Sequence, residues 1–177
     1  MTKLSESVAL GFEELIKEGD TREIGKFLAF TTEKIIAPHW MENECGIKTI
    51  SAPDEENQQA RYDRLAVDSK LRVQVKFRGG KSLHMEQTRR TTGRNAKGGA
   101  KNGQVRYSID SFDVILFVLP NGEYEDTTKW DYLVIPAFEL EDPEMPGYCV
   151  GRVPAALIKK YKGQGKDVLT KMSELLK

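Results

Sequence analysis

The chain has 177 residues, 39% hydrophobic and 31% charged, which suits one ordinary globular domain with a core of its own. Its 27 Lys and Arg balance 27 Asp and Glu, so the total charge neither demands nor excludes a polyanionic partner. No apolar run approaches the roughly 20 residues of a membrane helix, and Met1-Thr2-Lys3-Leu4-Ser5-Glu6 lacks the apolar segment of a signal peptide. Cys45 and Cys149 stand alone, without zinc-ligand spacing. A cytoplasmic protein with no membrane partner is the expectation.

Residues 5–17 read as a helix, with Val8, Phe12, Leu15 and Ile16 on one face and Ser5 as cap. Glu18-Gly19-Asp20 breaks it. A second helix, capped by Asp20 or Thr21, runs to about Ile36 with Ile24, Phe27, Leu28, Thr31 and Ile35 as its core stripe, and Pro38 ends it. This helix is the more apolar and is predicted to lie against the sheet. Residues 46–50 read as a first strand and residues 51–59 as a polar loop.

Residues 61–77 read as two short strands joined at Asp68-Ser69-Lys70, whose short polar side chains suit a turn. Leu71, Val73, Val75 and Phe77 alternate with Arg72, Gln74, Lys76 and Arg78, the period of a strand with one apolar face. Glycine-rich residues 79–103 predict a short helix over 82–92 followed by a loop. Residues 112–119 are a continuous apolar run, as in a strand buried on both faces. Asp131–Pro136 is another such strand, and 154–160 and 166–176 read as helices. In the last helix Val168, Leu169, Met172 and Leu176 share a face. The order α-α-β-β-β-(basic helix and loop)-β-β-α predicts an α/β (α+β) fold, a mixed central sheet of about five strands flanked by helices. One domain over residues 1–177 is expected, with a core at about 20–140 and a C-terminal helical extension at about 152–177.

Charge is unevenly spread. Arg78, Lys81, Arg89, Arg90, Arg94, Lys97, Lys101 and Arg106 face only one acid, Glu86, in their segment. Its charge is +7, and the rest of the chain carries −7. Glycine-spaced cations beside a sheet can follow a phosphate backbone and release its counterions; a solvated basic loop is the plainer reading.

Asp63, Gln74 and Lys76 are polar positions in a strand pair that otherwise reads as core. Residues two apart on a strand share a face, so Gln74 and Lys76 project together, and the turn brings Asp63 across from them. Asp63 offers an anionic oxygen to a hard cation such as Mg²⁺, Gln74 a neutral oxygen, and Val75 its carbonyl. Lys76 can orient or help deprotonate an attacking water and balance phosphate charge. Singly, each has a plainer role: Asp63 as ion-pair partner of Arg72 or Lys70, Lys76 as a surface lysine.

Here the chain resembles the PD-(D/E)xK nuclease superfamily, which holds many restriction endonucleases and related DNA-repair and homing nucleases. The resemblance rests on Tyr62-Asp63, on Gln74-Val75-Lys76, and on the later stretch from Asp110 through Phe112 to Val118, and it covers about residues 20–140. It implies a restriction-endonuclease-like sheet and a Mg²⁺-dependent endonuclease, with Mn²⁺ as a substitute cation, hydrolysing double-stranded DNA. A type II restriction endonuclease comes first. A homing, repair or junction-resolving nuclease, or a non-catalytic DNA-binding module, is the alternative. Asp63, Gln74 and Lys76 would be catalytic, joined by Glu33 from the second helix, with Glu23 behind it; Asp63, Gln74 and Val75 would hold the metal. Glu33 as a plain surface acid is the competing reading. The literal Pro53-Asp54 lies in a polar loop, and Asp68 in the turn, so Asp63 is preferred. Gln74 stands where the family more often has Glu. Cutting both strands with one site per chain calls for a homodimer. No GxxxxGK[ST] loop is present, so no nucleotide cofactor is expected. His39 and His84 are too isolated for a histidine-metal nuclease, and Tyr107, Phe112 and Trp130 read as core.

Overall fold

The sheet grows from its hairpin. The computed structural model describes residues 13, 14, 17, 21–53, 62–80, 82–85, 87, 88, 104–121 and 126–177. Its strands are β1 (Thr49–Ser51), β2 (Arg64–Ala66), β3 (Arg72–Phe77), the two-residue β4 (Gln87–Thr88) and β5 (Gln104–Val105), β6 (Val114–Leu119), β7 (Asp131–Pro136), β8 (Glu141–Asp142) and β9 (Met145–Cys149). The main sheet has five strands in the order β1-β2-β3-β6-β7. All its neighbours are antiparallel except β3 and β6, which run parallel from Val73↔Val114 to Phe77↔Val118. The mixed α/β architecture is therefore as expected.

Alternation divides the core between the two faces. Val73, Val75, Val114, Leu116, Val118 and Val134 pack on one side; Ile115, Phe117, Leu133 and Ile135 pack on the other. Each fully buried aliphatic of this kind contributes about 1.5–3 kcal/mol.

Helix α1 (Thr21–Thr31), a π-helical turn (Thr32–Ile36) and α2 (Ala37–Cys45) form one continuous rod over the valine face, which Leu28, Ala37 and Met41 join. This corrects the expectation that Pro38 ends the helix. Ala37 N–H donates to the Thr32 carbonyl, five residues back, so the wide turn ends just where a proline can start the next segment. The extra residue also rotates the helix phase: buried Thr32 is followed five positions on by buried Ala37, whereas Ile35, on the core stripe expected from sequence, is exposed. The first strand begins later than expected. Gly46 caps α2 with φ 69°, a left-handed conformation suited to glycine, and β1 starts at Thr49.

The helix expected over residues 82–92 is not formed in its described part. Met85 N–H donates to the Gly151 carbonyl, Val153 N–H to that of Leu83, and β4 pairs with β5. Non-local partners thus hold this segment extended. The β8–β9 pair is an addition to the expected order. Of the N-terminal helix, only Glu13, Glu14 and Lys17 are described, and they are helical.

Helices α3 (Ala155–Tyr161) and α4 (Gly165–Leu175) belong to the sheet packing: Tyr161 enters one core and Leu169 the other. A Cβ at Gly165 would sit 2.1 Å from the Tyr132 carbonyl oxygen, so α4 reaches β7 only because residue 165 is glycine. In α4, Leu169 is buried, Val168 and Met172 are half-buried, and Leu176 just beyond it is exposed. Cys45 and Cys149 are free thiols, and burial pushes them up to about 11 and 12. Among the described residues no helix is long and apolar enough to cross a membrane.

Candidate active site

The hairpin turn is built from local bonds. Lys70 has φ 59°, Ala66 N–H donates to the Leu71 carbonyl, and Lys70 Nζ donates to the Val67 carbonyl at 2.8 Å. Ser173 on α4 donates to the Ser69 hydroxyl at 2.9 Å and ties the turn to the core. Asp68 is exposed in this turn.

The turn, from Val67 to Lys70, fixes the register as Leu65↔Arg72 and Arg64↔Val73, and Asp63 stands just past the end of that ladder, its side chain beside that of Gln74. Asp63 N–H donates to the Val73 carbonyl at 3.0 Å. In return its Oδ2 accepts from Val75 N–H at 2.8 Å and from the Gln74 amide nitrogen. That same nitrogen lies 3.3 Å from the Val75 carbonyl oxygen. β3 runs on to Phe77 with β6 on one side, and the side left by β2 opens into a cavity of about 430 Å³. Glu33, Asp63, Gln74, Val75, Lys76 and Tyr107 all line it.

Asp63, Gln74, Lys76 and Glu33, picked from sequence, thus share one pocket. The plainer reading of Asp63 does not hold: Arg72 pairs with Asp113 at 2.7 Å instead, and Lys70 bonds Val67. The π-turn delivers Glu33, whose carboxylate also pairs with Lys34 at 2.6 Å. Glu23 belongs to α1, Pro53 is exposed, and Asp54 lies outside the described residues. Neither His39 nor His84 lines this pocket.

Burial raises the Asp63 carboxyl from 3.8 to about 6; the Val75 N–H opposes this, Glu33 adds to it, and Lys76 and Lys34 oppose it. Burial and the neighbouring Arg78 lower Lys76 from 10.5 to about 8, against the pull of Asp63 and Glu33. Lys76 is therefore no surface lysine. Its ammonium stands over the ring of Tyr107, which packs edge-on to Phe112 at 5.5 Å. Tyr107 is core, as expected, but it also lines the site; a tyrosine 31 positions past Lys76 carries no spacing signal for that.

No family model matches the chain, and no curated protein matches it.

The donor set suits a hard cation. The Asp63 carboxylate and Val75 carbonyl converge on one point, now bridged by the Gln74 amide nitrogen. Mg²⁺ commonly takes one or two protein carboxylates and fills its shell with water and substrate phosphate. No cluster of three or more His, Cys, Asp or Glu groups exists among the described residues. A site here would lean on Asp63, the Val75 carbonyl and the Gln74 amide oxygen, with Glu33 at its margin.

Of the eight basic residues singled out for DNA, two are described. Arg106 pairs with Asp142, and Arg78 donates to the carbonyls of Phe77 at 2.9 Å and His84 at 2.8 Å. Lys81, Arg89, Arg90, Arg94, Lys97 and Lys101 lie outside the described residues.

Proposed function

We propose that the chain is a Mg²⁺-dependent endonuclease that hydrolyses phosphodiester bonds in double-stranded DNA, of the restriction type and acting in the cytoplasm as a homodimer. One observation carries this reading: Asp63, Gln74 and Lys76, joined by Glu33, meet in a single pocket where burial shifts Asp63 up to about 6 and Lys76 down to about 8. Such paired shifts are what acid–base chemistry near neutral pH needs.

Asp63, the Val75 carbonyl and the Gln74 amide oxygen would hold the cation. When bound, it supplies Lewis-acid stabilisation of the charge developing on the phosphate. Lys76, uncharged in part of the population near neutral pH, positions the attacking water and accepts its proton. Glu33, lining the pocket from the helix side, would hold water there. The homodimer follows from duplex symmetry: two antiparallel strands need two sites related by a twofold axis.

The test is incubation with a mixed-sequence plasmid and Mg²⁺, with end-mapping of discrete fragments. Wild-type protein should cut; Asp63→Ala and Lys76→Ala should bind duplex DNA yet leave it whole. An intact plasmid with Mg²⁺ and with Mn²⁺, and no DNA affinity in any variant, would overturn the reading.

A further inference from the structure

Gln74 is buried, and its amide nitrogen touches both oxygens that a cation would use: Asp63 Oδ2 and the Val75 carbonyl. The amide cannot serve them and a cation at once. Two acceptors facing one donor are satisfied; two acceptors facing the amide oxygen need a proton, a water or a cation between them. Cation binding thus requires the Gln74 side-chain amide to turn over, giving up two hydrogen bonds in a buried setting.

The surrounding charge works against a cation bound by protein alone. Asp63 is the one carboxylate in the bridge, Glu33 is tied to Lys34, and Lys34, Lys76 and Arg78 all bear on the site electrostatically. A phosphate diester adds both a negative charge and an oxygen ligand at the place of need.

We propose that Gln74 is a clamp: its amide nitrogen holds the Asp63 and Val75 oxygens together, and releases them when a divalent cation arrives with a DNA phosphate, so that the two bind cooperatively. This rests on the nuclease reading for its ligand and goes beyond it in making Gln74 the residue that couples cation to substrate. Glutamate at this position would bind the cation outright and uncouple the two.

The experiment compares wild-type protein with Gln74→Glu. Mg²⁺ affinity without DNA is read from thermal stabilisation, duplex affinity with and without Ca²⁺ from fluorescence anisotropy, and exchange of the Gln74 side-chain amide protons from NMR of the wild type alone. The clamp predicts slow amide exchange without divalent cation. It also predicts about tenfold tighter Mg²⁺ binding in Gln74→Glu, and a cation enhancement of DNA affinity at least about fivefold larger in wild type than in the variant. Fast exchange of the Gln74 amide, or equal Mg²⁺ affinity in the two proteins, overturns the clamp even where wild type cuts DNA. Slow exchange and tighter Mg²⁺ in the variant, with no DNA bound by either protein, would sink the nuclease reading and the coupling while leaving the amide's hold on the two oxygens standing.

Discussion

The Lys76 ammonium stands 5.0 Å from the centre of the Tyr107 ring. A ring face favours the cation, here against the burial and the Arg78 charge that pull Lys76 down to about 8. If Lys76 takes the proton from the attacking water, cleavage should accelerate as pH rises through about 8, and Lys76→Ala should lose about 100-fold or more. Tyr107→Leu removes a contact worth about 0.5–1 kcal/mol, so the midpoint of that rise should fall by about half a pH unit. Tyr107→Phe should leave it in place. A rate–pH profile with the same midpoint in all three proteins would remove the ring from the chemistry.

Asp63 weakens the fold that holds it. Its carboxyl is raised from 3.8 to about 6, first by burial. Between those values the folded protein binds more protons than the unfolded one, so stability falls as pH rises through about 6. Asp63→Asn keeps the shape and an acceptor for Val75 N–H while deleting the charge. It should be more stable than wild type at pH 7, by about 1–3 kcal/mol, with the advantage vanishing below pH 4. Urea unfolding at the two pH values decides it; equal stability at pH 7 would mean that burial does not govern this carboxyl.

The parts legible in the sequence are those whose signal is local. β7 is legible to the residue, because Asp131–Pro136 is an apolar run closed by a charge and a proline. Asp63, Gln74 and Lys76 meet because period-2 alternation and the hairpin register fix which side chains share a face; the turn read at Asp68-Ser69-Lys70 is one residue longer in the structure, from Val67 to Lys70, and a three-residue turn would set Asp63 opposite Val75 instead. What failed depended on distant partners. Residues 82–85 have no strand period of their own; the Gly151 and Val153 backbone holds them extended. Pro38 read as a stop, since a π-turn leaves no mark in composition. Glu33 lies on the helix that the sequence shows, yet its place at the pocket depends on the π-turn. Nothing in the spacing foretold that the Gln74 nitrogen would bridge Asp63 and Val75.

Arg72 and Asp113 lock the two parallel strands at their start. Arg72 Nε and its backbone N–H donate to Asp113 Oδ2, Nη2 donates to Oδ1, and Nη1 reaches the Asp110 carbonyl. Bonds to charged groups contribute about 1.5–3 kcal/mol net. Arg72→Ala and Asp113→Ala should each cost about 2–3 kcal/mol in urea unfolding, and the double variant distinctly less than the sum. Arg72→Lys should recover under half, having no fork for the two oxygens. Additive losses would show that the pair does not act as a unit.

Arg78 and Arg106 separate the cations that hold the fold from those that would hold DNA. Arg78 is bonded to the carbonyls of Phe77 and His84 and borders the candidate site, while Arg106 is paired with Asp142. Losing a phosphate contact lowers the slope of log affinity against log salt by about 1; losing an internal contact lowers stability instead. Arg78→Ala should therefore cost about 1–3 kcal/mol in unfolding, because two carbonyls lose a charged donor, and leave the salt slope unchanged. Arg106→Ala should also keep the slope, with a smaller stability loss at its half-exposed pair. The slope should instead fall in Arg89→Ala, Arg90→Ala and Arg94→Ala, by about 1 for each phosphate contact removed. Duplex binding of the five variants at several salt concentrations checks this, and an Arg78→Ala slope that drops by a full unit would move Arg78 from the fold to the interface.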